Sequence, residues 1–120
     1  MHQFKRFLMI AAPAAAVGLL AACSATPVTS QGAAVEVVTE RPANCRTLGE
    51  VTGSQGNVFS GDFTSDQTLM QGARNDLRNK AAAMGGNVVQ LQNSHNSTHP
   101  YSAGAIKSTL IGVVFACPGR

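Results

Sequence analysis

The chain has 120 residues, nine Lys or Arg against six Asp or Glu, a formal net charge of +3, few aromatic residues and no tryptophan. That length accommodates one small domain. Lys5 and Arg6 lie in an N-terminal leader, so the rest of the chain is near neutral, with Arg41, Arg46, Arg74, Arg78, Lys80, Lys107 and Arg120 against Glu36, Glu40, Glu50, Asp62, Asp66 and Asp76. No basic patch of the kind that neutralises nucleic-acid phosphates remains, which argues against a nucleic-acid partner.

The leader is the strongest motif. Behind Lys5 and Arg6 an apolar run extends from Phe7 to Leu20, followed by Ala21, Ala22 and Cys23. A basic start, a short apolar stretch and small residues before a cysteine read as a bacterial lipoprotein signal. The run is too short for the roughly 20 residues that cross a bilayer as a helix. An ordinary secretory signal is the rival reading, but leucine three residues before a cysteine, with alanines between, favours lipidation. Residues 1–22 are then the signal peptide, and Cys23 carries the covalent lipid. Two or three acyl chains, at about 0.8 kcal/mol per buried methylene, anchor a protein stably. Ser24 stands where an aspartate would signal inner-membrane retention, so the expected address is the outer membrane, with the domain in the periplasm.

Residues 24–34 are small and polar without periodicity, so 23–34 read as the lipidated N-terminus and a flexible tether. Residues 35–120 then form a single domain facing the periplasm. Val35–Val38 is a candidate short strand, ended by Arg41-Pro42. Cys45–Gly53 reads as a strand in which Leu48 and Val51 have opposite parity, so Gly49 is expected to form a bulge. Residues 53–65 read as a Gly-, Ser-, Asn- and Asp-rich loop attached to the core by Phe59 and Phe63. The spacing of Leu69, Ala73, Leu77, Ala81 and Met84 predicts a helix over 66–84, capped by Ser65 or Asp66 and ended by Gly85-Gly86. Gly72 would allow close packing of that helix on a sheet. Asn87–Gln92 is the next strand, with Val89 and Leu91 on one face and Val88 on the other. Residues 93–104 read as a polar loop. The last strand, about 106–117, is apolar on both faces and so is expected at the centre of the sheet.

With Cys23 acylated, Cys45 and Cys117 are left in an oxidising compartment, where a structural disulfide is favoured over a redox pair. The element order supports that pairing. A right-handed crossover makes the strands at 45–53 and 87–92 parallel, and a hairpin makes the last strand antiparallel to both. Its end then lies beside the start of the first, which places Cys117 near Cys45. The expected fold is a small α+β domain of β-α-β-β order. One helix packs on a mixed, largely antiparallel sheet, with one disulfide.

Three blocks in order carry a resemblance: Cys-Arg-x-Leu-Gly-Glu-Val-x-Gly at 45–53, Ala-Arg-Asn-Asp-Leu-Arg-Asn-Lys-Ala-Ala-x-Met-Gly-Gly-Asn-Val-Val at 73–89, and Cys117-Pro118. Together they resemble a family of small Gram-negative lipoproteins catalogued as a domain of unknown function. More distantly, the Leu-Gly-Glu-Val-x-Gly strand and the Arg-, Lys- and Ala-rich helix are similar to those of the Rcs stress-sensing outer-membrane lipoproteins. The first resemblance implies the fold and the address, with no established activity.

Candidate chemistry is sparse. His95 and His99 form a His-x-x-x-His pair on a segment that reads as a loop, without a carboxylate or thiol beside it to complete a zinc shell, so no metal is expected. No Gly-x-Ser-x-Gly elbow accompanies the serines. Glu50 with Asp62 or Asp66 is the available acid pair, although no spacing requires them to meet. Gly53-Ser54-Gln55-Gly56 lacks the lysine of a phosphate loop and reads as a turn. Asn96-Ser97-Thr98 matches a glycosylation acceptor, discounted in a bacterial chain. Arg74, Asn75, Arg78 and Asn79 are expected to form a polar recognition stripe on the exposed helix face, the candidate site for an envelope protein partner. The favoured reading is a non-enzymatic, membrane-anchored envelope lipoprotein that binds another component, in surveillance of the envelope or its maintenance, with no cofactor beyond its lipid. A passive structural lipoprotein is the alternative, and a cell-envelope enzyme ranks last.

Overall fold

A computed structural model describes residues 25–56, 65–98 and 104–120. In chain order these residues form α1 (Ser30–Ala33), β1 (Glu36–Val38), β2 (Arg46–Gly56), α2 (Asp66–Ala83), β3 (Val88–Thr98) and β4 (Ala105–Ala116). The strands make one sheet in the order β1-β3-β4-β2. β4 is antiparallel to both of its neighbours, and β1 runs parallel to β3 at the edge. The fold is therefore α+β, one helix on a mixed and largely antiparallel sheet, and the central strand is the one whose two faces are both apolar.

α2 begins and ends where its sequence dictates. The Ser65 hydroxyl accepts from the Thr68 N–H at 3.1 Å, satisfying one of the first-turn donors. At the other end Gly85, at φ +85°, donates to Ala82 O, and Gly86 N–H donates to Ala81 O, closing the turn in a Schellman arrangement. Leu69, Ala73, Leu77 and Ala81 are buried on one face, and Met84, the last member of the expected stripe, stays exposed. Against that face lie Val51, Val89, Leu110 and Val114, with Leu48 and Leu91 packed at the margin. Leu48 joins Val51 on the same side because the register slips between Thr47 and Gly49, where Gly49 takes a φ of +139°. The bulge thus reconciles two apolar residues of opposite parity.

Among the described residues, cover on the far face of the sheet lies at one end. β1 and β2 sit at opposite edges, so the chain between them, residues 39–45, passes across that face. Val88, Phe115 and Cys117 are buried there, with Val38, Cys45 and Val113 around them. The Arg41 guanidinium lies 5.5 Å from the centroid of the Phe115 ring, a cation–π arrangement. The Cys45–Cys117 disulfide, with alpha carbons 4.4 Å apart, closes this crossing onto the end of β4.

Asn87 completes that end. Its side chain donates to Cys117 O at 2.7 Å and accepts from Cys117 N at 2.8 Å, extending the β3–β4 ladder past its last regular pair. Asn87→Ala leaves both backbone groups of Cys117 without these partners. It is expected to destabilise the domain by about 2 kcal/mol, read in urea denaturation, while Asn87→Asp keeps the acceptor and restores part of the loss.

Several expected boundaries move. β2 continues to Gly56, so Gly53-Ser54-Gln55-Gly56 is strand and not a turn. β3 continues to Thr98, so 93–98 is strand and not loop. Its residues Asn93, His95 and Ser97 pair opposite Ile111, Thr109 and Lys107. Phe59 and Phe63, expected to attach the loop before the helix, lie outside the described residues.

The largest correction concerns the expected tether at 23–34. Residues 25–34 are bound to α2 as a strap that includes α1. Thr29 caps α1 through its hydroxyl, which accepts from Gly32 N–H at 2.9 Å. Val35, at the strap's end, is 2% exposed in the helix-side core. Small polar residues were read as flexible, but their backbone groups are fixed by side chains of the helix.

Candidate functional site: the polar face of the long helix

The stripe expected on α2 forms, but its occupant is the chain itself. Asn75 Nδ2 donates to Thr26 O at 2.8 Å, and its Oδ1 accepts from Gln71 Nε2 at 3.1 Å. Asn79 Nδ2 donates to Pro27 O at 3.0 Å, while its Oδ1 accepts from Thr29 N–H at 2.8 Å and from the Thr29 hydroxyl at 3.1 Å. Each asparagine therefore uses its amide as both donor and acceptor, as a strand backbone would. Arg78 donates through Nε to Val35 O at 3.1 Å and through Nη2 to Ala33 O at 2.7 Å. These carbonyls include the C-terminal end of α1, which α1 itself cannot satisfy.

Asn75, Arg78 and Asn79 are consequently not an open recognition surface. Asn75 is 9% exposed. Arg74 alone of the four remains exposed to solvent. Arg74 lies one turn before Arg78 on the same side of the helix, but the strap carbonyls at Ala33 and Val35 meet Arg78.

The strap also reaches the sheet. Thr26 N–H donates to Gln55 Oε1 from the end of β2. Gln55 crosses beneath α2 at Gly72, where a Cβ would coincide with its side-chain amide. Gly72 thus permits the close approach expected of it, with a glutamine side chain as the neighbour. Further along the same flank of α2, Asp76 Oδ2 accepts from Ser54 N–H at 2.9 Å, and Lys80 Nζ donates to Thr52 O at 3.1 Å. Asp76 and Lys80 pair with each other at 3.0 Å. Together they occupy outward-facing backbone groups of edge strand β2, which reduces its capacity to pair with another chain. Because Ser54 N–H is engaged there, it is not a donor for an anion.

The remaining candidates are scattered. His95 is exposed on β3 opposite Thr109, and His99 lies outside the described residues. Glu50 is exposed on β2 opposite Val113. Asp66 stands at the first turn of α2, with its Oδ1 accepting from Ala105 N–H at 3.1 Å, and Asp62 lies outside the described residues. The structure therefore does not bring Glu50 and Asp66 together. Asn96 is a strand residue whose Oδ1 accepts from the Ser108 hydroxyl at 2.7 Å. Among the described residues no three His, Cys, Asp or Glu come together in a way that could hold a metal.

A cleft of about 560 Å³ lies between β1, the crossing segment and Arg120, with Glu36, Glu40 and Arg41 on its walls. Glu36 and Arg120 form an exposed ion pair at 2.8 Å, of a kind that contributes at most about 1 kcal/mol. Among the described residues no helix is long and apolar enough to cross a membrane. Cys23, the expected lipidation site, lies outside the described residues.

Asn87 and the two strap-binding asparagines are the residues whose roles sequence reasoning missed. Asn87 was read only as the start of a strand. Asn75 and Asn79 were singled out by their spacing, but the backbone they bind has no side-chain signature.

Comparison with known proteins follows the same limits as the described domain. A domain of unknown function, DUF4156, matches residues 26–117, from the first strap residue held by α2 to the second disulfide cysteine. Over 102 residues the chain is 41% identical to the uncharacterized protein YjeI of Escherichia coli strain K12, covering 83% of this chain and 87% of the relative. YjeI of Escherichia coli O6:H1 and of Shigella flexneri match to the same extent. The matched region includes the strap as well as the helix and sheet, so the chain belongs to the DUF4156 family, a family of unknown function.

Proposed function

We propose that the protein is a lipid-anchored component of the bacterial envelope, acylated at Cys23, and that its domain binds another envelope component without catalysing a reaction. The observation that carries the proposal is Leu20-Ala21-Ala22-Cys23 behind a basic, apolar leader. The Cys45–Cys117 bridge supports it, because a disulfide persists in an oxidising space outside the cytoplasm. Ser24 favours the outer membrane, with the domain in the periplasm. The distant resemblance to Rcs stress-sensing lipoproteins extends the proposal to surveillance of the envelope. Because α2 spends Asn75, Arg78 and Asn79 on its own strap, Arg74 is the member of the stripe assigned to a partner.

Radiolabelled palmitate fed to cells is expected to label the wild-type protein and not Cys23→Ser, with the variant shifting from the membrane to the soluble fraction. A labelled Cys23→Ser protein, or an unlabelled wild type, overturns the anchoring. Crosslinking in intact cells is expected to capture one recurrent envelope component, lost in Arg74→Glu. Capture of none, at normal abundance and lipidation, overturns the binding role.

A further inference from the structure

The strap ends almost where the lipid begins. Thr26 is held by Asn75 and Gln55, and Cys23 is only three residues upstream. An extended chain spans at most about 3.5 Å per residue, so the alpha carbon of Cys23 lies within about 10 Å of Thr26. A free tether from 23 to 35 would instead let the domain move as far as about 40 Å from its anchor. The seven hydrogen bonds from Thr26 to Val35 described above remove that freedom.

The part of the surface beside this attachment has a consistent chemistry. Gln67, Gln71 and Arg74 are exposed. They fall at i, i+4 and i+7 on α2, outside the buried stripe of Leu69, Ala73 and Leu77 and next to the strap-holding Asn75 and Arg78. The Gln67 amide and the Arg74 guanidinium supply hydrogen-bond donors suited to phosphate oxygens, the guanidinium in bidentate form, while Gln71 Nε2 donates to Asn75 Oδ1. The acids on the same helix are already engaged, Asp66 with Ala105 N–H and Asp76 with Ser54 N–H and Lys80. Glu50 and Thr52, by contrast, are exposed on the other side of the molecule, one layer away on the far face of the sheet.

We infer that residues 25–35 act as a docking strap that seats this outer face of α2 on phospholipid head groups. The domain then lies flat against the bilayer with the far face of its sheet turned away from the lipid. The inference rests on acylation of Cys23, proposed above. It deepens that reading at the same residue, naming phospholipid head groups as the envelope component that Arg74 contacts.

The test uses the full acylated protein in vesicles of phosphatidylethanolamine and phosphatidylglycerol that contain a spin-labelled head group. A fluorophore is attached at Gln67→Cys or at Glu50→Cys, both exposed positions, and thermal unfolding confirms that each labelled protein is folded. Quenching is expected to be severalfold stronger at 67 than at 50. Inserting eight Gly and Ser residues between Ser24 and Ala25 lengthens the leash by about 16 Å without touching the domain, and is expected to bring the two positions close to equality. Equal quenching in the parent protein overturns the docking, and a difference that survives the insertion overturns the strap's part in it. Mass spectrometry of Cys23 separates the two levels. Equal quenching in fully acylated protein rejects the seating alone, whereas a soluble protein without acyl chains rejects the anchoring beneath it.

Discussion

Reduction of the Cys45–Cys117 bridge is expected to lower the unfolding free energy by about 4 kcal/mol, on the chain-entropy estimate for a loop of this length. The cysteines are 72 residues apart in sequence, and nearly all of β2, α2, β3 and β4 lies between them. Cross-linking so long a segment removes a large set of conformations from the unfolded chain. A small domain is stable by about 5–15 kcal/mol in total, so the bridge supplies a substantial fraction. Its position adds a local effect, because it holds the crossing segment at 39–45 onto Phe115 and the end of β4. Urea denaturation with and without reductant measures the loss. A double variant, Cys45→Ala/Cys117→Ala, should match the reduced protein, which separates loss of the cross-link from exposure of free thiols. A change below about 1 kcal/mol would show that the reduced, unfolded chain already keeps these ends close.

Much of this fold was legible because its signals are carried by side chains. Ser65 before the periodic run and Gly85 after it marked the ends of α2 through the backbone groups they satisfy and the conformation they allow. Leu48 and Val51 had opposite parity, and that conflict pointed to the bulge at Gly49. The central strand declared itself by apolar residues on both faces, and its position placed Cys117 beside Cys45.

What was hidden is what depends on backbone contacts or on one-sided pairing. β3 runs on through Asn93–Thr98 because β4 pairs with it along one edge, while β1 covers only Val88–Gln90 on the other. A stretch with exposed side chains on an open edge has no reason to be apolar, so hydrophobic alternation vanishes while the strand persists. The strap is hidden in a different way. Ala25, Thr26, Pro27, Thr29 and Ser30 have little surface to bury, and what fixes the strap is the capture of backbone groups at Thr26, Pro27, Thr29, Ala33 and Val35 by Asn75, Asn79 and Arg78. Those three residues were visible as a stripe at helical spacing. Their spacing does not distinguish a surface facing a partner from one facing the chain's own N-terminus. The functional consequence is direct: replacing Arg78 or Asn79 perturbs the strap, and Arg74 is the substitution that tests recognition without unseating it.

Gly53→Val is expected to be severely damaging to the packing of the helix on the sheet. A Cβ at 53 would fall on the carbonyl oxygen of Ala73 and on the backbone of Leu77, where the strand meets the helix most closely. Backbone atoms cannot rotate aside as a side-chain end can, so α2 must lift from β2 as a body. That motion opens the contacts around Val51, Ala73 and Leu77, the last two fully buried. Overpacking a core costs about 1–3 kcal/mol and sometimes more, and the upper end applies where the helix backbone itself is displaced. For a domain of this size a loss of 3 kcal/mol lowers the melting temperature by roughly 12–24 °C. Gly85→Ala provides the contrast. Its Cβ would meet nothing within 4 Å, and the cost is confined to the φ of +85°, about 1–2 kcal/mol. A melting temperature for Gly53→Val within a few degrees of the parent would show that the helix yields easily at this point. The expected large fall instead means that α2 is clamped between β2 on one side and the strap on the other. A platform held in that way transmits the position of the N-terminus to the whole domain, which is what the short membrane connection proposed above requires.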